Sequence, residues 1–213
     1  MGFELSPDIS FCRTDGGLVF LDLRNDRYFQ LGSRESRSFE KMLCGDAEIA
    51  ELDAFLATGI LLRVDGDTVC APAAAALAPD DIYGLERFRP SLRGVIETGY
   101  QVARARRAIR SVRLRATIGD LSCRKAKAAE ADDVALAAAR HFEANRSLVP
   151  VDRRCLIDSV ALMRILLARG IAVDLIFGVR TGPFAAHCWL QTRHHILTCA
   201  HDEARNFTPI LVI

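Results

Sequence analysis

The chain has 213 residues, 50 % of them hydrophobic and 26 % charged, which is an ordinary globular composition long enough for one large or two small domains. Lys+Arg 28 against Asp+Glu 27 leaves a formal net charge of +1, so no global field draws in nucleic acid or an anionic membrane surface. No apolar run approaches the roughly 18 residues of a membrane span, and the start, Met-Gly-Phe-Glu-Leu-Ser-Pro, lacks the pattern of a secretory signal. Seven cysteines without a Cys-x-x-Cys pair therefore read as reduced thiols of a cytoplasmic protein.

From Ile9 to Leu31 the pattern is short and extended. Turns at Asp15-Gly16-Gly17 and Arg24-Asn-Asp-Arg27 separate three strands of a meander, the last being Tyr28-Phe-Gln-Leu31. Ser33 is expected to cap a helix that stops at Gly45 and buries Phe39, Met42 and Leu43. Asp46 is expected to cap a second, with Ile49, Leu52, Phe55 and Leu56 as its stripe. Ile60 to Val64, Asp65-Gly66 and Thr68-Val-Cys70 then read as a hairpin. Strands, two helices and a hairpin describe a small winged-helix-like unit over residues 1–72. Its second helix carries Glu48, Glu51 and Asp53, which would face phosphates, so nucleic-acid binding is excluded as a reading.

Pro72 to Asp81 is rich in alanine and flanked by prolines, so residues 73–81 are expected to be a linker, with a second domain over 82–213. A long helix begins at Ser91. The arginines at 104, 106, 107, 110, 113 and 115 read as a solvated face over a buried stripe of Val95, Ile96, Val102 and Ile109, in preference to an anionic-partner surface. Another helix spans Ala131 to Phe142, and its His141 reads as a boundary residue. Strands follow at 171–180, 184–191, 196–199 and 207–213, with Pro209 placing the last at an edge or bulge. Helices first and antiparallel strands after them give an α+β fold.

Between these elements lies the chemistry. Leu156, Val160, Met163 and Leu167 recur at helical spacing, Asp152 is the expected N-cap and Gly170 the expected stop, so Cys155 falls in the first turn of a buried helix. There the free backbone N–H groups and the helix dipole favour a thiolate and suit an oxyanion. In the strand Phe184 to Gln191, His187 shares a face with Ala185, Trp189 and Gln191, while Cys188 points the other way. A thiol on a helix start followed by a histidine on a strand is the order of a nucleophile and its base. Cys188, His194, His195, Cys199 and His201 lack the paired spacing of a zinc site, and no phosphate-binding glycine motif occurs, so neither metal nor cofactor is expected.

Cys155, the His187-Cys-Trp189 strand and the closing Phe207-Thr-Pro-Ile-Leu-Val-Ile213 resemble the transglutaminase-like leader peptidases of lasso-peptide biosynthesis, the B proteins, along nearly the whole chain. The resemblance implies a small N-terminal winged-helix-like peptide-recognition domain followed by a transglutaminase-like, papain-like cysteine peptidase domain, and a Cys-His-Asp triad that removes the leader from a ribosomally made precursor. Such enzymes carry the acid about where Cys199 stands here, and Asp202 is the substitute candidate. The resemblance also implies that the leader lies as an added strand along Tyr28, Phe29, Gln30 and Leu31, beside the helix of Leu52 and Phe55, and that the freed core peptide passes to an asparagine-synthetase-like macrolactam synthetase. A non-catalytic leader-binding adaptor is the alternative.

Overall fold

Two layers of apolar side chains on opposite faces of one small sheet set the architecture. The computed structural model describes residues 2–67, 70–84, 88–109 and 114–213. After a short β1 (Gly2–Leu5), the expected meander forms as β2 (Ile9–Thr14), β3 (Gly17–Asp22) and β4 (Arg27–Phe29), antiparallel, with Phe11 opposite Phe20 and Phe20 opposite Phe29. Alternation along β2 and β3 sends Phe11, Leu18 and Phe20 to one face, where α1 (Ser33–Cys44) and α2 (Ile49–Ala57) cover them with Phe39, Met42, Leu52 and Phe55. Cys12, Val19, Leu21 and Leu23 go to the other face and join the large core of the rest of the chain. The meander is thus shared by both halves of the molecule.

The helix ends differ in detail from expectation. Gly32 stands at the N-cap of α1 in place of Ser33, and Gly45, at φ 82°, ends that helix as expected. At α2 a reciprocal capping box between Glu48 and Glu51 does the work assigned to Asp46. β5 (Leu61–Val64) pairs antiparallel with β1, Gly2 opposite Val64, a long-range partner the local pattern did not show; the second arm expected for the hairpin, Thr68 and Val69, lies outside the described residues.

Residues 73–81 are not a free linker. The Ala73 N–H donates to the Phe11 carbonyl at 2.9 Å, the Gln191 side chain donates to the Ala76 carbonyl at 2.8 Å, and Ala78 is 1 % exposed. Asp80–Asp81 then form β6, parallel to β9 (His195–Ile196). Alanine reads as low complexity, yet its small side chain is what lets a backbone lie this close to another surface.

Among the described residues that follow are four long helices, one short one and the rest of a five-stranded sheet. α3 (Leu92–Ile109), α4 (Leu114–Lys125) and α5 (Asp132–Arg146) surround α6 (Cys155–Ala168), which is buried on nearly every side from Ile157 to Leu167. On α3 the buried positions are Thr98, Val102 and Ala105; Ile96, expected in the stripe, is 64 % exposed. Arg110 and Arg113 lie outside the described residues, and Arg115 pairs with Asp8. The sheet order is β10-β7-β8-β9-β6, with β7 (Asp174–Arg180), β8 (Ala185–Gln191) and, after a short α7 (His201–Ala204), β10 (Thr208–Val212) at the edge. Its register against β7 shifts between Pro209 and Leu211, the bulge the proline forecasts. Among the described residues no helix is long and apolar enough to cross a membrane.

Because Ala78 is sealed against Ile176, Trp189 and Ile196, Ala78→Leu should lower stability by ~1–3 kcal/mol, read from the urea midpoint. A free linker would take the larger side chain with no change.

Candidate active site

The approach to Cys155 is fixed by a buried cation. Arg146, the last residue of α5 and 1 % exposed, directs Nε to Asp158 Oδ1 at 2.9 Å, Nη1 to the Val149 carbonyl at 3.3 Å, and Nη2 to those of Val151 and Asp152 at 2.9 and 3.1 Å. Asp158 lies in the first turn of α6, so one guanidinium ties the incoming loop to the helix it feeds. Burial pushes the Asp158 carboxyl up, and Arg146 opposes this. The expected N-cap Asp152 therefore contributes its backbone to Arg146; Arg154, in extended conformation, stands at the N-cap and no side chain caps the helix. Cys155 is the first helical residue and is exposed, with the orphan N–H groups of the first turn around it.

One turn further on, Ser159 shows how α6 meets the sheet. β8 and β9 pair at Gln191 and Ile196, the Leu197 N–H donates to the Leu190 carbonyl at 2.8 Å, and the strands then diverge. In the opening, Ser159 Oγ donates to the Cys188 carbonyl at 3.3 Å and lies 3.1 Å from Thr198 Oγ1, which accepts the Leu190 N–H at 2.9 Å. The helix enters where the strands part. Residues four apart share a helix face, so Cys155 is on the same side as Ser159, toward this opening. Cys188 and Cys199 are pushed up chiefly by burial, Cys199 to about 12 with the Glu203 and Asp81 carboxylates adding to it.

His187 projects from the other face of β8 beside Trp189, as alternation requires. Its ring stacks on Trp189 at 5.9 Å and meets Phe207 at 5.1 Å, and its side chain is 10 % exposed. Gly178, directly opposite on β7, makes room for this: a Cβ there would stand 2.7 Å from the Trp189 ring and 2.8 Å from Phe207. Trp189 in turn donates to Gln191 at 3.1 Å, which holds the 73–81 segment over the ring. Burial holds His187 below the ordinary imidazole value, with the Glu203 carboxylate opposing, which leaves a neutral ring able to accept a proton.

The acid beside His187 is Glu203. Its Oε1 lies 3.8 Å from His187 Nε2, whereas Asp202 is 82 % exposed and pairs with Arg205 at 3.3 Å. Cys199 comes to the same place: its Sγ, a His187 ring nitrogen and a Glu203 oxygen lie within 4.8 Å of one another, an arrangement with the donor types of a metal site. The four-residue α7 turns Glu203 inward and Asp202 outward. So short a helix has no periodicity to read, and Glu203 left no signal beyond its nearness in sequence to His187 and Cys199.

The residues expected to bind a leader divide between the faces of β4. Tyr28 packs on the larger core and against Phe184 at 5.6 Å; burial raises its hydroxyl, and Cys188, Asp26 and Cys155 add to this. Phe29 faces the other way, stacked on Phe20 at 5.2 Å, with Leu31 packed near it. Gln30 is exposed and donates to the Gly16 carbonyl at 3.2 Å. Leu52 and Phe55 are core side chains that support the surface without forming it. Among the described residues β4 pairs with β3 alone, so its second edge is open.

The model of the transglutaminase-like superfamily matches residues 98–212, more than half of the chain, from α3 through β10. No curated protein and no solved structure matches the chain.

If Arg146 holds the start of α6, Arg146→Met should cost ~3–5 kcal/mol, because it strands the Asp158 carboxyl in the interior. Chemical denaturation measures this; a loss under about 1 kcal/mol would show that the ion pair is not what anchors the loop.

Proposed function

Because the chain belongs to the transglutaminase-like superfamily, we propose that it is a cysteine peptidase that binds and removes the leader of a ribosomally made lasso-peptide precursor. The observation that carries the reading is an exposed cysteine on an uncapped helix start whose next turn, through Ser159, hydrogen-bonds the carbonyl of Cys188, the neighbour of the buried His187. In that reading His187 takes the proton of Cys155, and the thiolate attacks the peptide carbonyl at the end of the leader. The N–H groups of the first turn of α6 receive the oxyanion, and His187 returns the proton to the leaving amine. Water, activated by the same ring, releases the acyl group. Glu203 has the role of the orienting acid in place of Asp202, reached by a small closure of the present 3.8 Å.

Recognition of the leader falls to β4. Its open edge suits an added strand, and Gln30 lies exposed on the chain just beyond. Tyr28 packs on the core that also buries α6, so the strand that would hold the leader and the helix that carries the thiol belong to one packed body. Binding at one then raises the effective concentration at the other. The winged-helix-like character of the N-terminal part, passage of the core peptide to an asparagine-synthetase-like macrolactam synthetase and a cytoplasmic setting complete the proposal by family resemblance.

Cys155→Ala should lower cleavage of a lasso precursor by at least about a thousandfold while leaving leader affinity unchanged, measured by mass spectrometry and fluorescence anisotropy. Persisting cleavage would reject Cys155 as the nucleophile. A wild-type protein that binds the leader and never cuts it would be the adaptor instead.

A further inference from the structure

His187, Cys199 and Glu203 come from β8, from the segment after β9 and from α7, and they converge on one point. Their ligand atoms lie within 4.8 Å of one another, with His187 Nε2 3.8 Å from Glu203 Oε1. Nε2 is buried and makes no hydrogen bond, although its side chain is nine-tenths buried. An imidazole nitrogen sealed from water ordinarily has a partner, so this one is aimed at something besides its neighbours. Trp189 and Phe207 fix the ring's direction from below and beside it.

The spacing suits a tetrahedral ion. Zinc bonds of about 2.0–2.3 Å put ligand atoms roughly 3.3–3.8 Å apart. The imidazole and carboxylate already meet that distance. Cys199 closes on them by at most about 1 Å, within reach of a χ1 adjustment. One nitrogen, one sulfur and one oxygen select a borderline cation over magnesium or calcium, which take oxygen alone. Glu203 is 54 % exposed, leaving that side of the site open to solvent for entry and for a fourth ligand.

We propose that His187, Cys199 and Glu203 bind one zinc-class divalent cation, and that the bound ion silences the thiol chemistry of Cys155. The first half stands on the geometry alone; the second rests on the proposed function. No redox change is involved. The ion forms bonds to the sulfur, Nε2 and a carboxylate oxygen, and the Cys199 thiol proton leaves to solvent. With Nε2 coordinated, the remaining ring proton sits on Nδ1, and the imidazole keeps no lone pair to take the proton of Cys155. Coordination therefore removes the base whichever nitrogen faces the nucleophile. Glu203 acting as a hydrogen-bond acceptor would do the reverse, holding the proton on Nε2 and freeing Nδ1.

Cobalt(II) chloride added to metal-free full-length protein reports directly, since a thiolate bound to cobalt gives a near-ultraviolet charge-transfer band. The band should saturate at one cobalt per chain, collapse on adding zinc chloride, persist in Cys155→Ala and vanish in Cys199→Ser, with circular dichroism confirming that each variant is folded. Glu203→Gln, an exposed change with little risk to folding, should weaken cobalt binding by at least about tenfold. Absence of a saturable band, its loss in Cys155→Ala, or its survival in Cys199→Ser would overturn the site. With the band established, one equivalent of zinc should stop precursor cleavage by wild type. Undiminished cleavage would overturn the silencing alone, and a protein that binds cobalt yet never cleaves would instead reject the peptidase reading.

Discussion

Arg146 has no route to water, so its charge must be answered inside the protein, by Asp158 in the first turn of α6 and by three carbonyls of the loop before it. A guanidinium offers its donors in a fixed fork, so satisfying it dictates where that loop runs. The loop delivers Arg154 to the N-cap in extended form and leaves Cys155 as the first, exposed residue of a helix otherwise sunk in the core. Exposure of a thiol at one end and burial of nearly everything behind it are two results of the same packing. A looser loop would let the first turn fray and disperse the N–H groups on which an oxyanion site depends.

The second constraint is the parting of β8 from β9. A continuous ladder would keep the layer holding α6 apart from the face holding His187. Because the strands separate beyond the Leu197 to Leu190 hydrogen bond, Ser159 and Thr198 take over the freed backbone groups and the helix start enters the gap. Across the gap Ser159 meets Thr198, the residue before Cys199, which lies on the His187 side. The N-terminal meander closes the arrangement from the other side: β10 packs on β2 and β3, and the turn of Gly16 meets Thr181 through a 3.2 Å hydrogen bond. A Cβ on Gly16 would stand 2.8 Å from the Thr181 hydroxyl, so this approach needs the glycine. Shared burial of Cys12, Val19 and Leu21 with the C-terminal core makes the two halves one packed body at this contact.

What the sequence made legible was what local periodicity encodes. Cys155 on a helix start and His187 beside Trp189 followed from a 3.6-residue repeat and a two-residue repeat, and the helix stops from Gly45 and Gly170, which adopt the positive φ angles glycine tolerates. Tyr28 and Phe29 had to face opposite ways, and do. The misses were long-range or too short to repeat. Pairing of β1 with β5 joins positions sixty residues apart, α7 spans one turn, and the close lie of residues 73–81 depends on a glutamine more than a hundred positions away. That Glu203 lies beside His187 while Asp202 points to solvent follows from that single turn. Ile96 shows the converse error, a hydrophobic residue counted toward a stripe on identity when the helix face put it outside.

The central claim is that His187 makes Cys155 a better nucleophile than a cysteine of equal exposure. Cys44 and Cys123 are exposed on the same molecule and serve as internal references. Alkylation by iodoacetamide at neutral pH, followed peptide by peptide in the mass spectrometer, compares the three directly. The account predicts that Cys155 reacts roughly tenfold faster or more than both, and that His187→Ala brings it down to their rate. Equal rates in the wild-type protein, or an advantage that survives the loss of His187, would contradict it.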